Sequence, residues 1–303
     1  MVTMPKMQRN HAENAAFGSI EPKAHTLTCQ ESLYNCLVMP TLRSADAQLF
    51  YQVTGNGPDV VLLHPFPLNH SFWTPVAEIL STGYRLILPD LRAHGESELG
   101  DGPATMQKLA DDLALLCREE RIQRAFFVGV SIGGYLLFEF WRRHREHVAA
   151  LVLSNTRAGA ETAESKANRL AIAEKVLGEG TAGFIEEMLP KLLSPATRTH
   201  RPDMVDAARR MMQKMSADDI AGVQRGMAER PDSVATLQTI NVPTLVIAGG
   251  DDSVPLAEAE LMRQNILASR LQVIANAGHY AALEKPAQFA ALLRDFFDGL
   301  PRP

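Results

Sequence analysis

Ser131 lies between two glycines in a segment that is typical of a nucleophilic serine. Residues 125–130 form a short apolar run, Gly129 and Gly133 stand two positions before and after the serine, and an apolar helical pattern follows. A serine on a sharp turn between a strand and a helix exposes its hydroxyl, and small neighbours let the two elements approach. The same pentapeptide also fits an ordinary glycine-rich turn, so its interpretation depends on the rest of the chain.

A carboxylate that can orient a catalytic histidine follows a later strand. Residues 243–248 are apolar and indicate a buried strand, which leads through two glycines to Asp251 and Asp252. A carboxylate at this place stands at the carboxyl end of the strand, where the loops of an open parallel sheet converge. Both aspartates fit the position.

A histidine follows the next predicted strand, which spans residues 270–275. His279 therefore lies on the loop after the last strand, and serine, aspartate and histidine occur in the chain order that this geometry requires. We predict that Ser131, Asp252 and His279 meet as a catalytic triad, with Asp251 as the alternative acid.

The chemistry of such a triad assigns a role to each residue. Ser131 would attack an acyl carbon, His279 would take and return the proton, and Asp252 would hold the imidazole tautomer. The oxyanion that forms in this attack needs preorganised backbone N–H donors. Ile132 follows the nucleophile at a predicted helix amino end, so its N–H is one candidate donor.

The chain resembles the α/β-hydrolase superfamily over roughly residues 45–300. Within it, the chain is most similar to serine esterases, 3-oxoadipate enol-lactonases and cofactor-free haloperoxidases. The resemblance rests on five motifs in the expected order: Leu62 to Leu68, Asp90 to Ser97, the serine turn, Gly249 to Asp252, and Gly278-His279 followed by Glu284 and Pro286.

This resemblance implies an α/β-hydrolase fold, with a mostly parallel sheet flanked by helices and an inserted helical cap. It also favours Asp252 as the acid and points to Phe66 as the second oxyanion donor. The family usually has glycine where this chain has Pro65. Proline has no N–H to donate, whereas Phe66 keeps its own.

The activity that the resemblance implies is hydrolysis of carboxylic esters or lactones through an acyl-enzyme, with no cofactor and no metal. Four alternatives stay open: 3-oxoadipate enol-lactone hydrolysis specifically, a cofactor-free haloperoxidase or perhydrolase, carbon–carbon bond hydrolysis, and a non-catalytic ligand-binding protein on the same scaffold. Haloalkane dehalogenases and epoxide hydrolases place an aspartate at the position of Ser131, so the sequence disfavours both.

Strand patterns alternate with helical patterns from residue 47 onward, which predicts a mostly parallel sheet with helices on both faces. The turn at residues 55–58 indicates an antiparallel edge. The predicted strands are 47–54, 59–64, 84–89, 125–130, 148–154, 243–248 and 270–275, and the predicted helices are 72–81, 105–120, 132–145, 256–267 and 286–298.

The alternation stops between residues 157 and 230, where helical spacing predicts a cap over the crevice. The expected division is therefore a core of residues 41–156 and 231–303, the cap, and a flexible N-terminal extension of residues 1–40. A start of translation at Met39 would make residues 1–38 dispensable.

Arg157 begins the cap and is a candidate ligand of a substrate carboxylate, or else pins the cap through a salt bridge.

The composition agrees with an enzyme that acts on small molecules. The chain has 303 residues and a net charge of −5, so it has no basic surface for nucleic acid. Its three cysteines have no metal-ligand spacing, and no apolar stretch predicts a membrane span or a secretory signal. We expect a cytoplasmic protein whose partner is a small ester or lactone. The oligomeric state stays open.

Overall fold

The computed structural model describes residues 40–303. The predicted extension over residues 1–40 and the alternative start at Met39 therefore lie outside the described residues, except for Pro40. Eight strands of the described part form one sheet in the order β1-β2-β4-β3-β5-β6-β7-β8. They are β1 (Thr41–Arg43), β2 (Gln48–Thr54), β3 (Asp59–Leu63), β4 (Arg85–Pro89), β5 (Ala125–Val130), β6 (Val148–Ser154), β7 (Thr244–Gly249) and β8 (Ser269–Ile274).

Helices flank this sheet and fill the long connection between β6 and β7. Those in the described part are α1 (Thr74–Leu80), α2 (Met106–Glu119), α3 (Ile132–His144), α4 (Ala163–Glu179), α5 (Ala182–Leu192), α6 (Pro195–His200), α7 (Pro202–Met212), α8 (Ala217–Ala228), α9 (Val234–Leu237), α10 (Leu256–Asn265), α11 (Ala281–Glu284) and α12 (Pro286–Asp298). The structure confirms the predicted α/β-hydrolase fold with an inserted helical segment. Over residues 40–303, no helix is both long and apolar enough to cross a membrane.

The sheet is parallel from β4 through β8 and antiparallel at its amino-terminal edge. β1 pairs antiparallel with β2, and β2 pairs antiparallel with β4. The turn at residues 55–58 does not join two paired strands, because β3 lies on the far side of β4. β3 and β4 are parallel neighbours, so α1 must carry the chain back across the sheet between them.

The central strands are apolar because helices cover both of their faces. All six residues of β5 are buried, and all six residues of β7 are buried as well. β8 lies at the edge, and only its last residue is fully buried. The apolar central strands thus place their carboxyl ends, and the loops that follow them, along one edge of the sheet.

The segment between β6 and β7 lacks strands, as the sequence predicts. α4 packs along α8, and α8 begins with a capping box in which Ser216 and Asp219 satisfy each other's backbone N–H groups. The methionines of this segment pack inward: Met204, Met211, Met212, Met215 and Met227 are all buried. These side chains form an apolar interior for the helical segment.

Candidate active site

Ser131 occupies a strained turn between β5 and α3. Its φ is 55° and its ψ is −113°, a conformation that costs a residue with a side chain about 1–3 kcal/mol. A Cβ on Gly129 would lie 2.5 Å from the carbonyl carbon of Gly133, and a Cβ on Gly133 would lie 2.7 Å from the carbonyl oxygen of Leu63. Both glycines are therefore required by the close approach of backbone to backbone, as the sequence indicates.

His279 and Asp252 are in direct contact. The Nδ1 atom of His279 lies 3.0 Å from both carboxylate oxygens of Asp252, and both side chains are almost fully buried. Asp251, the alternative acid, is exposed. Within residues 40–303, no hydrogen bond joins the Ser131 hydroxyl to His279, so that contact stays a prediction. Such bonds are often long before substrate binds.

The environment of Asp252 favours its ionised form. Burial raises the pKa of this carboxyl. The opposing effect is larger: it comes from the charge of His279 and from hydrogen bonds donated by His279, Asn155 and the Val254 N–H. The pKa of Asp252 therefore lies below its ordinary value. A carboxylate that is ionised at neutral pH at this position favours the Nδ1–H tautomer of His279 and stabilises an imidazolium.

Asn155 is a site residue that the sequence analysis did not identify. It follows β6 with a positive φ of 47°, and its side-chain amide donates a hydrogen bond of 2.7 Å to Asp252. The Ser154 hydroxyl donates to the amide oxygen of Asn155, which turns the NH₂ group toward the carboxylate. The next residue, Thr156, donates its hydroxyl to the carbonyl oxygen of Ser131 at 2.8 Å. The loop after β6 thus links the serine turn to the acid.

The two candidate oxyanion donors are backbone N–H groups without protein acceptors. Ile132 is the first residue of α3, where no intrahelical acceptor exists, and Phe66 lies in the loop after β3. In the part of the chain that the structure describes, neither N–H donates to a protein acceptor. The Phe66 carbonyl accepts a hydrogen bond of 3.3 Å from Tyr280, and the Phe66–Pro67 peptide is cis. Pro65 therefore leaves the candidate donor in place.

His64 supports the loop that carries Phe66. Its Nδ1–H donates to the Pro65 carbonyl at 3.1 Å, and its Nε2 accepts the Leu91 N–H at 2.9 Å. Burial, with a smaller contribution from His94, lowers the pKa of His64 to about 3. A neutral, doubly hydrogen-bonded imidazole braces the loop, which is a structural role and not that of a catalytic base.

Asp90 braces the neighbouring loop. Its carboxylate accepts the backbone N–H groups of His70 at 2.6 Å and Glu96 at 2.9 Å, and it contacts His70 Nδ1 at 2.8 Å. Ser97 donates its hydroxyl to the Asp90 carbonyl and accepts the N–H of Phe50 in β2.

Across residues 40–303, the structure contains no group of three or more side chains placed to hold a metal ion.

Residues 60–292 match the sequence profile of the Alpha/beta hydrolase family, which spans more than half of the chain. The chain belongs to the α/β-hydrolase family. The 3-oxoadipate enol-lactonase 1 of Acinetobacter baylyi is 26% identical to this hydrolase over 251 residues, which is 82% of this chain and 92% of the relative.

Two solved structures have the same architecture as this hydrolase. A malate-bound thermophilic esterase from Thermogutta terrifontis superposes with a TM-score of 0.83 at 36% identity, covering 86% of this chain and 98% of that one. The enol-lactonase from Burkholderia xenovorans has a TM-score of 0.79 at 27% identity and covers 86% and 100% of the two chains. This hydrolase is thus related to esterases and enol-lactonases.

Glu284 connects the histidine loop of this hydrolase to the helical segment. One carboxylate oxygen accepts the Gly278 N–H at 2.8 Å, and the other accepts the Ser194 N–H at 2.9 Å. Gly278 has no room for a side chain, because a Cβ would lie 2.6 Å from the Ser194 nitrogen. The Tyr280 N–H adds a bond of 3.2 Å to the Leu192 carbonyl. His279 is thereby held between two anchored neighbours.

We expect Glu284→Gln to lower the free energy of unfolding by about 2 kcal/mol, because one backbone N–H would face an amide NH₂ group instead of a charged acceptor. Any turnover should fall mainly in kcat, since the substitution displaces the histidine loop without touching substrate. Urea denaturation and steady-state kinetics measure the two effects. Glu260→Gln, on the exposed face of α10, is the matched control. Equal stability of the two variants would contradict the anchoring role.

Proposed function

We propose that this chain is a serine hydrolase that cleaves carboxylic esters or lactones through an acyl-enzyme on Ser131. The observation that carries the proposal is the buried pair of His279 and Asp252, with the acid held ionised at the same sheet edge as a strained serine turn. An ionised acid against imidazole Nδ1 leaves Nε2 as the base for the serine hydroxyl. A structural ion pair alone would not require a serine at the same sheet edge to adopt a positive φ.

In the proposed mechanism, the Ser131 oxygen bonds to the acyl carbon while its proton passes to His279 Nε2. The carbonyl oxygen becomes an oxyanion, which accepts hydrogen bonds from the N–H groups of Phe66 and Ile132. His279 then protonates the leaving alcohol as the bond from the acyl carbon to oxygen breaks. A water gives its proton to His279, attacks the acyl-enzyme and releases the acid, and Ser131 regains its proton.

The relatives support esters and lactones as the substrate class. One similar structure is an esterase at 36% identity, and two relatives are enol-lactonases at 26% and 27%. A perhydrolase or haloperoxidase would use the same acyl-enzyme with hydrogen peroxide in place of water. A carbon–carbon bond hydrolase would use the same three side chains, and a binding protein would turn over nothing.

We propose that residues 157–230 act as a cap over this site. The cap reaches both loops of the site, since Phe184 of α5 packs against Phe66 with ring centroids 6.0 Å apart. The hydrogen bond between Glu284 and Ser194 joins the other end of α5 to the histidine loop. The cap would exclude bulk water from the site and still admit the single water that hydrolyses the acyl-enzyme.

The experiment that tests the proposed function combines covalent labelling with turnover. We expect a fluorophosphonate to lose fluoride and phosphonylate Ser131, which peptide mass spectrometry locates. We also expect turnover within a panel of short and medium p-nitrophenyl esters and several lactones, which ranks ester against lactone. Absence of both label and turnover would contradict the proposal and favour carbon–carbon hydrolysis or a binding role.

Arg157 is the proposed ligand of a second, non-reacting carboxylate in the substrate. Arg169 and Arg230 already lie 3.0 Å from the buried carboxylate of Glu161, whereas Arg157 is 3.9 Å away and one third exposed. Each of the three arginines has one buried nitrogen with no hydrogen-bond partner in the described part of the chain, so distance and exposure distinguish Arg157 from the other two. Arg157 is therefore the arginine of this cluster whose charge Glu161 compensates least.

We expect Arg157→Gln to raise KM about tenfold for an ester that carries a free carboxylate, because a charge-assisted hydrogen bond of this kind contributes about 1.5–3 kcal/mol. KM for the matching neutral ester should not change. Steady-state kinetics on a dicarboxylate half-ester and its neutral analogue provide the comparison. Arg225→Gln, which removes an exposed cation of the same segment, is the control. An equal effect on both esters would mean that Arg157 only pins the cap.

A further inference from the structure

A cleft of about 170 Å³ opens between α4 and α5. Its inner surface is apolar: Val176 and Phe184 are buried, and Ile172 and Met188 are partly buried. Its rim is charged, and an ion pair between Lys175 and Glu187 with an N···O distance of 2.7 Å joins the two helices there. The cleft therefore combines an apolar interior with a polar rim.

The inner wall of this cleft is the ring that contacts the loop proposed to bind the oxyanion. Phe184 lines the cleft and packs against Phe66, whose N–H is a candidate donor to the oxyanion. The two rings are inclined by 54° with centroids 6.0 Å apart. One aromatic side chain thus separates the cleft from the loop on which the acyl carbonyl would rest.

The cleft has the size and lining for an unbranched alkyl chain. A dry cavity of about 150 Å³ lined by Leu, Ile and Phe side chains holds a benzene molecule, so the cleft has room for roughly six carbons. Each methylene that moves from water into such surroundings strengthens binding about fourfold. Lys175 and Glu187 at the rim pair with each other, and the remaining rim charges, Glu179 and Lys191, are of opposite sign, so the rim does not favour a charged group of one sign on the bound chain.

We propose that Phe184 is the residue that limits acyl chain length in this protein, because its ring separates the acyl site from the cleft between α4 and α5, and that this cleft binds an unbranched apolar chain. The inference rests on the proposed function, because the acyl carbon must sit beside Phe66. With the phenyl ring of Phe184 in place, only short acyl groups fit in the space beside Phe66. Without the ring, the space beside Phe66 and the cleft become continuous.

The test compares p-nitrophenyl esters from acetate to decanoate in the wild type, Phe184→Ala, Ile172→Trp and the double variant. Ile172 lies on α4, outside the proposed catalytic machinery, and a tryptophan there fills the cleft. We expect Phe184→Ala to raise the decanoate-to-acetate ratio of kcat/KM at least tenfold, and we expect Ile172→Trp in the same chain to cancel this gain. An unchanged ratio, or an equal loss on all esters, would overturn the proposal.

A second measurement separates this inference from the proposed function. Calorimetric titration with 1-hexanol should detect binding to the wild type that Ile172→Trp weakens at least tenfold, whether or not any ester is hydrolysed. Hydrolysis of the acetate ester without hexanol binding would overturn the subsite and leave the hydrolase proposal intact. Hexanol binding that depends on Ile172, together with no label on Ser131 and no turnover of any ester or lactone, would overturn the hydrolase proposal and leave the cleft as an apolar binding site.

Discussion

Replacing Ser131 with alanine is expected to lower kcat for ester hydrolysis about 10⁶-fold, because removal of the nucleophile leaves only binding and oxyanion stabilisation. The alanine keeps the backbone of the turn. The N–H of residue 131 still donates to the carbonyl oxygen of Ser154 at 3.0 Å, and its carbonyl oxygen still accepts from the Thr156 hydroxyl. The loss should therefore come from chemistry and leave the fold unchanged.

The measurement is the initial rate on the best ester of the panel, with thermal unfolding of the same preparation as the test of folding. Ser81→Ala, at the end of α1, is the matched serine control and should keep the wild-type rate. Residual turnover of a few per cent in Ser131→Ala, with unchanged thermal stability, would place the nucleophile elsewhere. The fluorophosphonate label should disappear from the same variant.

The positions of the candidate residues could be predicted because each follows a strand with a strong local pattern. Ser131 follows β5, Asp252 follows β7 and His279 follows β8, and parallel pairing of these strands within one sheet places the residues after them on one edge. The need for glycine at residues 129 and 133 could also be predicted from the local sequence, because a turn that holds a serine between a strand and a helix leaves no room for Cβ atoms there. These features depend on neighbouring residues in the chain.

The partners of those residues could not be predicted in the same way. Asn155 and Asp252 are 97 positions apart, and Glu284 and Ser194 are 90 positions apart. No local pattern indicates which distant polar group a buried asparagine or glutamate will satisfy. The pairing of β2 with β4 could not be predicted either. The turn at residues 55–58 is equally compatible with pairing of β2 with β3, the next strand in the chain.

The ends of the individual helices between residues 157 and 230 could not be predicted from hydrophobic periodicity. Helical spacing predicts helices throughout residues 157–230, but their ends are set by caps and prolines. Pro195 and Pro202 begin α6 and α7, where a missing N–H costs nothing. Pro190 instead lies inside α5, so a proline in this segment does not by itself mark a helix boundary.

Asp252→Asn is expected to lower kcat about 10⁴-fold, whereas Asp251→Asn should leave it unchanged. An asparagine can donate to Nδ1 of His279 and thereby select the tautomer whose Nε2 carries a proton and cannot act as a base. Asp251 is exposed and offers a control of identical chemistry one residue away. Steady-state rates of the two variants at neutral pH provide the comparison, and a loss in Asp251→Asn would reverse the assignment of the acid.

The stability of the protein at acidic pH depends on the same carboxylate. The pKa of Asp252 lies below its ordinary value in the folded protein, so its contribution to stability is complete above the unfolded value of about 3.9 and is lost as the pH falls through the folded pKa. The stability difference between the wild type and Asp252→Asn should therefore be largest at neutral pH and shrink below about pH 4. Denaturation at a series of pH values measures it. A difference independent of pH would mean that the carboxylate has the same pKa in both states and that the histidine contact does not hold it ionised.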